Sequence, residues 1–444
     1  MLAAAGCALG ALLGATGDSA ATTVARPVDT TRLVETKQRN AARMAGALLA
    51  APAAVSRVYQ LREYRPIWAG ERGQILANIL EHAEDDGLDP KRYGVERLRA
   101  LASDPARAAD ADIAYSLAWI VYLQDLRSPP ATARMTYVDA VLAPERRAAD
   151  ILMAAANAQS LRDHLLAARR MHPLYEQLRA ALARHRSEPA VHSGRSGPEY
   201  ERRLLANMAR LRALPANPGQ RYLLVDVASA RLWMYEEGRP IDAMRVVVGK
   251  TSQPTPTIAG LIRYAIRKPY WNLPPDLTRA RAVKVLREGP RVLDRERLEM
   301  LSDWTPSARL LDAGEIDWRS VAAGTQKLRM RQLPGPGNMM GEVKFMLPNT
   351  LGIYLHDTPD KAVFGRSRRT LSSGCVRLED AARLGRWLAG GGEVPASKIL
   401  DERIDLPAPV PVYIVYLTVM PAASGIVMQD DPYRRDEPAG LLRS

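Results

Sequence analysis

Residues 221–250, RYLLVDVASARLWMYEEGRPIDAMRVVVGK, decide the fold of the C-terminal half. Short apolar runs alternate here with turns, a pattern that is typical of an antiparallel β-meander. Further runs follow downstream: VKFML (343–347), LGIYL (351–355) and VPVYIVYLTV (410–419). The last of these is apolar on both faces, which predicts a central strand that is covered on each side. We therefore expect a β-rich domain over residues 218–420.

The sequence before this domain has the period of helices rather than strands. Two sets of apolar residues are spaced three and four apart: Leu76, Ile79, Leu80 and Ala83, and then Ile113, Leu117, Ile120 and Val121. This spacing places each set on one face of a helix. Residues 55–185 are therefore predicted to form an all-helical domain, which makes the fold class α+β.

Composition assigns the remaining segments. Residues 186–217 begin rich in Ser, Gly and Pro and then turn helical, which predicts a linker followed by one helix. Helical sequence interrupts the β domain at 276–325, so we expect a helical cap inserted between two strands. Over residues 421–444 the periodicity gives way to Pro, Asp and Gly, which predicts a disordered tail.

Overall composition narrows the function classes. The chain has 444 residues, of which 47% are hydrophobic and 25% charged, with a mean hydropathy of −0.21, which excludes a polytopic membrane protein. A net charge of +13 favours an anionic partner: nucleic acid, a membrane surface or a carboxylate-bearing polymer. Nucleic acid is disfavoured, because no zinc-finger spacing or RNP-type aromatic stretch is present. The histidines lack paired metal-ligand spacing, so no metal site is predicted.

The first residues resemble a secretory leader. Residues 1–22 contain an apolar run followed by small residues, although no positive segment precedes it. If this leader is removed, Cys375 is the one remaining cysteine and no intramolecular disulfide can form. A lone thiol outside the cytoplasm is a candidate reactive group, whereas a buried cysteine that acts as a small hydrophobe is the plainer interpretation.

Residues 356–380, HDTPDKAVFGRSRRTLSSGCVRLED, decide between these interpretations. His356 ends a predicted strand, and Cys375 lies at a turn before a second element, positions where active sites are common. A nearby imidazole or guanidinium, here His356 or Arg377, lowers the pKa of a thiol and favours the nucleophilic thiolate. Backbone N–H groups of Ser373, Gly374 or Cys375 could form an oxyanion hole. The pattern indicates cysteine acyl transfer with His356 as base.

The motif HDTP followed by SSGCVRLED resembles the catalytic stretch of the L,D-transpeptidases with a YkuD-type domain, in particular their large periplasmic Gram-negative branch. The phrases KPYWNLPP (268–275), LPGPGNMMGEVKFMLPN (333–349) and EYRPIWAG (63–70) are also similar to that branch. Ser373 stands where the family's general pattern has a second histidine. The peptidoglycan-binding module that often lies between scaffold and catalytic domain is replaced by a short linker.

This resemblance implies a helical scaffold domain and a β-sandwich-like catalytic domain whose helical cap covers the site. Cys375 would attack the diaminopimelate carbonyl of a donor tetrapeptide in periplasmic peptidoglycan, release D-alanine and pass the acyl group to a second stem as a 3-3 crosslink. Carbapenems would acylate the same sulfur, and neither a metal nor an organic cofactor is needed. His356 would be general base, and the substrate would also contact other residues: Arg377, Ser372, Tyr354, Trp271 and Asn338.

Two other functions are compatible with the same sequence features. In the first, water resolves the thioester, so that the protein is an L,D-carboxypeptidase or a crosslink-cleaving enzyme. In the second, the protein is a noncatalytic wall-binding scaffold in which Cys375 is merely buried. The sequence leaves the acceptor and the oligomeric state open.

Overall fold

A computed structural model describes residues 30–187, 197–305, 307–392, 398–422 and 425–436. The predicted leader, residues 1–22, lies outside this part of the chain. Within it, no helix is both long enough and apolar enough to cross a lipid bilayer.

The N-terminal region is helical, as predicted. Its helices are α1 (Thr30–Ala47), α2 (Ala53–Leu61), α3 (Glu71–Glu81), α4 (Val95–Ala102), α5 (Ala108–Leu126), α6 (Ala148–Ala156), α7 (Leu161–Ala168), α8 (Pro173–Ser187) and α9 (Pro198–Leu211). Helix α5 is apolar around most of its circumference and buries Trp119 and Tyr122, so the other helices pack around it.

The C-terminal region is rich in strands. They are β1 (Thr136–Tyr137), contributed by the helical region, and then β2 (Arg221–Asp226), β3 (Arg231–Glu236), β4 (Arg239–Gly249), β5 (Ile258–Arg267), β6 (Trp271–Asn272), β7 (Leu298–Leu301), β8 (Leu310–Leu311), β9 (Arg329–Gln332), β10 (Val343–Met346), β11 (Leu355–His356), β12 (Thr370–Ser372), β13 (Val376–Leu378), β14 (Glu402–Val415), β15 (Val419–Ala422) and β16 (Gly425–Met428). The helices of this region are α10 (Pro275–Glu288), α11 (Arg291–Arg295), α12 (Trp318–Ala323) and α13 (Ala381–Leu388). The α+β class is confirmed.

The main sheet closes on itself. Its order is β1-β5-β10-β11-β13-β4-β3-β2-β14, and β14 also pairs with β5. Val412 of β14 lies opposite both Leu223 of β2 and Gly260 of β5. Because both sides of β14 are paired, this strand is central, as its two apolar faces predicted.

The two faces of β2 and β14 belong to different cores. Leu223 and Ile414 pack inside the closed sheet, whereas Tyr222 and Tyr413 pack against the helical domain. Successive side chains of a strand point to opposite faces, so a strand that separates two cores must be apolar throughout. The helical domain is thereby fixed to the outside of the sheet.

The inserted cap differs from the prediction. Helices α10, α11 and α12 lie within it, but β7 and β8 do as well, and these strands belong to a small sheet in the order β6-β9-β7-β8. The segment DRERLEML, predicted as helical, instead ends α11 at Arg295, and Arg297 has a positive φ of 57°. A helix cannot contain that conformation, so the chain turns into β7. We call residues 271–332 the cap.

The predicted disordered tail over 421–444 is wrong for its described residues, 421–422 and 425–436. Strand β15 pairs with β16 as a hairpin, and Asp436 is buried with 6% of its surface exposed. Asp436 forms ion pairs with Arg203 and Arg210 of α9 at 3.2 and 2.7 Å. Partners this distant in sequence leave no trace in local composition, which is why the prediction failed.

Candidate active site

Strand register brings the predicted catalytic residues to one face of the sheet. Strands β11 and β13 are parallel, with Leu355 opposite Val376 and His356 opposite Arg377. Leu355 and Val376 are buried inside the closed sheet. The alternation along each strand therefore places His356 and Arg377 on the other face, together with Cys375 one step before Val376.

Tyr354 shares this face, because it precedes Leu355 by one residue. Its ring centroid lies 5.7 Å from that of His356 and it packs against the hydrophobic core of the cap. Burial, followed by the nearby Cys375, raises the pKa of the Tyr354 hydroxyl, so this group stays protonated. The candidate site therefore lies between the closed sheet and the cap, with Tyr354 beside His356, and a contact of Tyr354 with substrate remains a prediction.

The turn before Cys375 is shaped by its own small residues. The Ser372 hydroxyl donates to the Cys375 carbonyl oxygen at 2.6 Å and accepts from the Gly374 N–H at 3.2 Å. Gly374 has a φ of 116°, a conformation that side chains strongly disfavour. The sequence Ser-Ser-Gly-Cys therefore builds a tight turn that presents the sulfur at the start of β13.

These hydrogen bonds correct two predicted roles. Ser372 is buried, and its one hydroxyl proton is used inside the turn, so the predicted contact with substrate is wrong. The Gly374 N–H is likewise occupied and is not a free oxyanion donor. Among the described residues, the backbone N–H groups of Ser373 and Cys375 make no hydrogen bond, so these two groups remain the oxyanion donors that the turn offers.

The Cys375 thiol is half-buried and donates to the Gly352 carbonyl oxygen at 3.4 Å. Burial raises the pKa of this thiol, and hydrogen bonds with Tyr354 and the positive charge of Arg377 oppose that rise only in part. The expected lowered pKa is therefore wrong for the resting protein. Desolvation disfavours the thiolate more than Arg377 stabilises it, so the sulfur rests as a neutral thiol.

His356 is buried with 2% of its surface exposed. Its Nδ1 lies 2.5 Å from the Asp357 carbonyl oxygen, and since a carbonyl can only accept, the ring proton is on Nδ1. Burial, followed by the charge of Arg377, lowers the pKa of His356 to about 3. The imidazole is therefore neutral, with the lone pair of Nε2 available to accept a proton.

The thiol and the imidazole are neighbours in the strand register, but they are not hydrogen-bonded to each other in the resting state. Over the described residues, no hydrogen bond joins the Cys375 sulfur to His356. Catalytic hydrogen bonds are often long before substrate binds and shorten in the reacting complex. The arrangement is thus a neutral cysteine–histidine pair on one sheet face, in which Nε2 can accept the thiol proton once the sulfur and the ring approach each other.

Two cations flank the imidazole. Arg377 lies opposite His356 on β13, and its buried Nε has no hydrogen-bond partner in the described part of the chain. Lys344 lies opposite His356 on β10, and burial lowers its pKa. Within the described ranges, neither Lys344 nor Arg377 forms an ion pair. Unpaired and partly desolvated cations beside a neutral base form a site for an anionic ligand.

Sequence reasoning missed Lys344. The runs VKFML and LGIYL were both predicted as strands, but only their register shows that Lys344 faces His356. Asn338 was predicted to bind substrate, and this is wrong: its amide donates to the Leu333 carbonyl at 2.9 Å and accepts from the Met340 N–H at 2.7 Å. Trp271 belongs to the core of the cap, and its contact with substrate remains a prediction.

Two family models match this chain. The model of the YkuD-type L,D-transpeptidase catalytic domain covers residues 220–412, and the model of a Scaffold domain covers residues 53–182. A Haemophilus influenzae protein named "Putative L,D-transpeptidase" is 26% identical over 400 residues, which are 87% of this chain and 79% of its own.

Solved structures are more distant. An L,D-transpeptidase from Mycobacterium smegmatis is 12% identical, with a TM-score of 0.22, over 44% of this chain and 58% of its own. A mutant L,D-transpeptidase of Enterococcus faecium is 12% identical, with a TM-score of 0.20, over 45% of this chain and 52% of its own. The chain thus spans little more than half the length of these structures, and the assignment rests on the family models. This chain therefore carries a YkuD-type L,D-transpeptidase catalytic domain over residues 220–412, preceded by a Scaffold domain over residues 53–182.

Proposed function

We propose that this protein forms 3-3 crosslinks in peptidoglycan through a thioester at Cys375, with release of D-alanine from a donor tetrapeptide. The observation that carries this proposal is the register of β11 and β13, which gathers Cys375, His356, Tyr354 and Arg377 on one face beneath the cap. A structural cysteine would not need a neutral imidazole and an unpaired guanidinium around it.

The acylation step starts from the neutral pair. The sulfur attacks the carbonyl carbon of the third residue while Nε2 of His356 accepts the thiol proton. The carbonyl oxygen becomes an oxyanion, which the N–H groups of Cys375 and Ser373 stabilise; each such donor contributes about 3 to 4 kcal/mol. The C–N bond then breaks, and the imidazolium returns its proton to the amine of the departing D-alanine.

The second half-reaction mirrors the first. The side-chain amine of diaminopimelate on another stem attacks the thioester carbonyl, and His356 accepts a proton from that amine. The C–S bond breaks, the sulfur is reprotonated and a new amide remains. Water in place of the amine would give hydrolysis with the same residues, so access of the acceptor to the site decides between crosslinking and carboxypeptidase activity.

Lys344 and Arg377 link the binding of a substrate carboxylate to the protonation of His356. Both cations disfavour an imidazolium between them, which keeps His356 a weak base when the site is empty. A carboxylate of diaminopimelate or D-alanine bound to Arg377 would cancel part of this positive charge. The pKa of His356 would then rise when the correct substrate binds, so recognition and activation of the base would be coupled.

The proposed location is the periplasm, where stem peptides are found. The net charge of +13 is consistent with a polymer that carries many carboxylates, since such a charge concentrates an anionic substrate near the protein. We further propose that carbapenems acylate Cys375, because a strained β-lactam carbonyl presents the same electrophile to the same sulfur.

The test is mass spectrometry of the products formed from a purified disaccharide-tetrapeptide. Wild-type protein is expected to yield tetrapeptide–tripeptide dimers, and Cys375→Ala none, with an unchanged melting temperature. Cys7→Ser, which removes the other cysteine of the sequence, is the matched control and should keep full activity. Tripeptide without dimer would indicate hydrolysis instead, and turnover by Cys375→Ala would refute the thioester mechanism.

A further inference from the structure

The C-terminal segment 425–436 is held on helix α9 and lies beyond residue 412, where the catalytic family model ends. Asp436 accepts from the hydroxyl of Thr418 at 3.0 Å, in addition to its ion pairs with Arg203 and Arg210. The hydroxyl of Tyr416 donates to Asp431. The segment is therefore anchored at Asp431 and at Asp436, and Tyr433, which lies between these two residues, is fixed in place.

Tyr433 reaches a loop of the catalytic domain. Its ring stacks on that of Tyr416, with centroids 5.3 Å apart and planes inclined by 12°. Its hydroxyl donates to the Gly249 carbonyl at 2.5 Å and accepts from the Thr255 N–H at 3.2 Å. One hydroxyl group thus closes the loop between β4 and β5 at its two ends.

Thr255 extends this chain of hydrogen bonds to the nucleophile turn. Its hydroxyl accepts from the Gly249 N–H at 2.8 Å and donates to the Gly374 carbonyl at 2.7 Å. In a planar trans peptide the carbonyl and the N–H point in opposite directions. Because the Gly374 carbonyl is held by Thr255, the N–H of Cys375 must point away from this loop.

The loop has little freedom to move. A Cβ atom added to Gly249 would lie 2.3 Å from the Gln253 carbonyl oxygen and 2.5 Å from the Thr255 nitrogen. The Lys250 N–H also donates to the Ser372 carbonyl at 2.9 Å, at the beginning of the same turn. The loop and the turn are therefore packed backbone to backbone, and a shift of one is transmitted to the other.

We propose that Tyr433 is a positioning residue for acyl transfer. Through Thr255 it fixes the peptide between Gly374 and Cys375, so that the Cys375 N–H faces the oxyanion that forms during attack by the sulfur. This inference rests on the proposed thioester chemistry at Cys375 and extends it, since it assigns a catalytic contribution to a segment outside the matched catalytic domain.

The experiment compares two reactions of Cys375 in the full-length protein. Acylation by imipenem passes through an oxyanion, whereas alkylation by iodoacetamide does not. Tyr433→Phe keeps the stacked ring and removes only the hydroxyl, and Thr255→Val removes the next hydroxyl in the chain. We expect both variants to slow acylation about 10- to 100-fold, with alkylation within about twofold of the wild type. Thr255→Ser should recover most of the acylation rate.

Tyr137→Phe is the matched control, because the Tyr137 hydroxyl also donates to a backbone carbonyl, that of Ala213, at 2.5 Å. Its acylation rate should equal that of the wild type. If imipenem acylates Tyr433→Phe at the same rate as the wild type, the positioning role is refuted, but the thioester chemistry is not. Equal losses of acylation and alkylation would overturn it as well, since they would indicate general loosening of the protein. A wild-type protein that imipenem does not acylate would refute the thioester chemistry itself and this inference with it.

Discussion

His172 in the helical domain and His356 in the catalytic domain are both buried, and burial lowers the pKa of both, to about 4 and about 3. Their hydrogen bonds differ. Nδ1 of His172 accepts from the Leu174 N–H at 3.2 Å and its Nε2 lies 3.2 Å from the Tyr222 hydroxyl, so both nitrogens have partners. In His356 only Nδ1 is bonded among the described residues. Equal burial therefore conceals two roles, and the unpartnered nitrogen marks the one that can take up a proton.

Charged groups show the same contrast between the two domains. Asp86 of the helical domain is fully buried and is paired with Arg169 at 2.8 Å and Arg179 at 3.0 Å. The Tyr122 hydroxyl donates to the same carboxylate at 2.6 Å. Within the described residues, Lys344 and Arg377 beside His356 form no such ion pair, although the charges of Asp401 and Asp360 oppose the lowering of their pKa values. A buried cluster whose charges are all paired stabilises a fold. A cluster of unpaired charges destabilises the folded state, and a bound ligand of opposite charge can offset that cost.

The largest expected effect is a difference between substitutions of His356 and of His172. His356→Gln should lower the rate of acylation by a carbapenem about 10²- to 10⁴-fold, because the proposed general base is lost, while the melting temperature stays nearly the same. His172→Gln should do the reverse: it should leave acylation within about twofold and lower the free energy of unfolding by about 1 to 3 kcal/mol. Stopped-flow acylation and urea denaturation measure the two quantities.

The comparison fails if both variants lose the same property. Loss of stability without loss of acylation in His356→Gln would make His356 a packing residue like His172. Loss of acylation in His172→Gln at unchanged stability would show that the contacts between the two domains contribute to catalysis, which nothing in the register of β11 and β13 requires.

The second prediction concerns the buried ion-pair cluster of Asp86, Arg169 and Arg179. Asp86→Asn keeps a group that can accept from Tyr122 but leaves Arg169 and Arg179 without a negative charge. The free energy of unfolding should fall by about 2 to 4 kcal/mol, less than for a fully buried pair because both arginines are partly exposed. Acylation per folded molecule should not change. Asp360 is exposed, so Asp360→Asn is the control and should change the free energy of unfolding by less than about 0.5 kcal/mol. If this variant lost as much stability as Asp86→Asn, the ion pairs of Asp86 would not explain the loss.

Local sequence patterns predicted much of this architecture. The helical period, the meander and the doubly apolar strand β14 each follow from side-chain periodicity. The proximity of Cys375 and His356 was also predictable, because strand ends, small turn residues and a lone thiol are features of the local sequence. What failed depended on distant partners. Burial that outweighs the charge of Arg377 set the pKa of Cys375, and hydrogen bonds inside the loops occupied Ser372 and Asn338.

Register and tertiary anchoring account for the residues that were missed. Lys344 faces His356 only because β10 pairs with β11 in one particular register, and the identity of two strands does not reveal their alignment. Residues 425–436 fall in the segment 421–444, which was predicted to be disordered because its periodicity gives way to Pro, Asp and Gly. Three polar side chains of this segment, Asp431, Tyr433 and Asp436, are the ones that hydrogen-bond to the folded domain.

The smallest effect expected here concerns Lys344. Lys344→Met removes a positive charge opposite the imidazole, so the imidazolium becomes less unfavourable and the pKa of His356 rises. Since only the neutral imidazole accepts the thiol proton, the acidic limb of the rate of acylation should move to higher pH by less than about one unit. The KM of a tetrapeptide donor should rise several-fold, about 3- to 10-fold, with kcat at alkaline pH within about twofold.

The control is a lysine that has a counter-charge. Lys284 in the cap pairs with Glu296 at 2.6 Å, so Lys284→Met removes the same charge away from the imidazole. Its pH profile and its KM should match those of the wild type. If Lys344→Met also matched the wild type in both, the unpaired ammonium would have no part in recognition, and Arg377 alone would account for the binding of substrate carboxylates. If the acidic limb shifted without a change in KM, Lys344 would affect only the pKa of His356 and would not contribute to substrate binding.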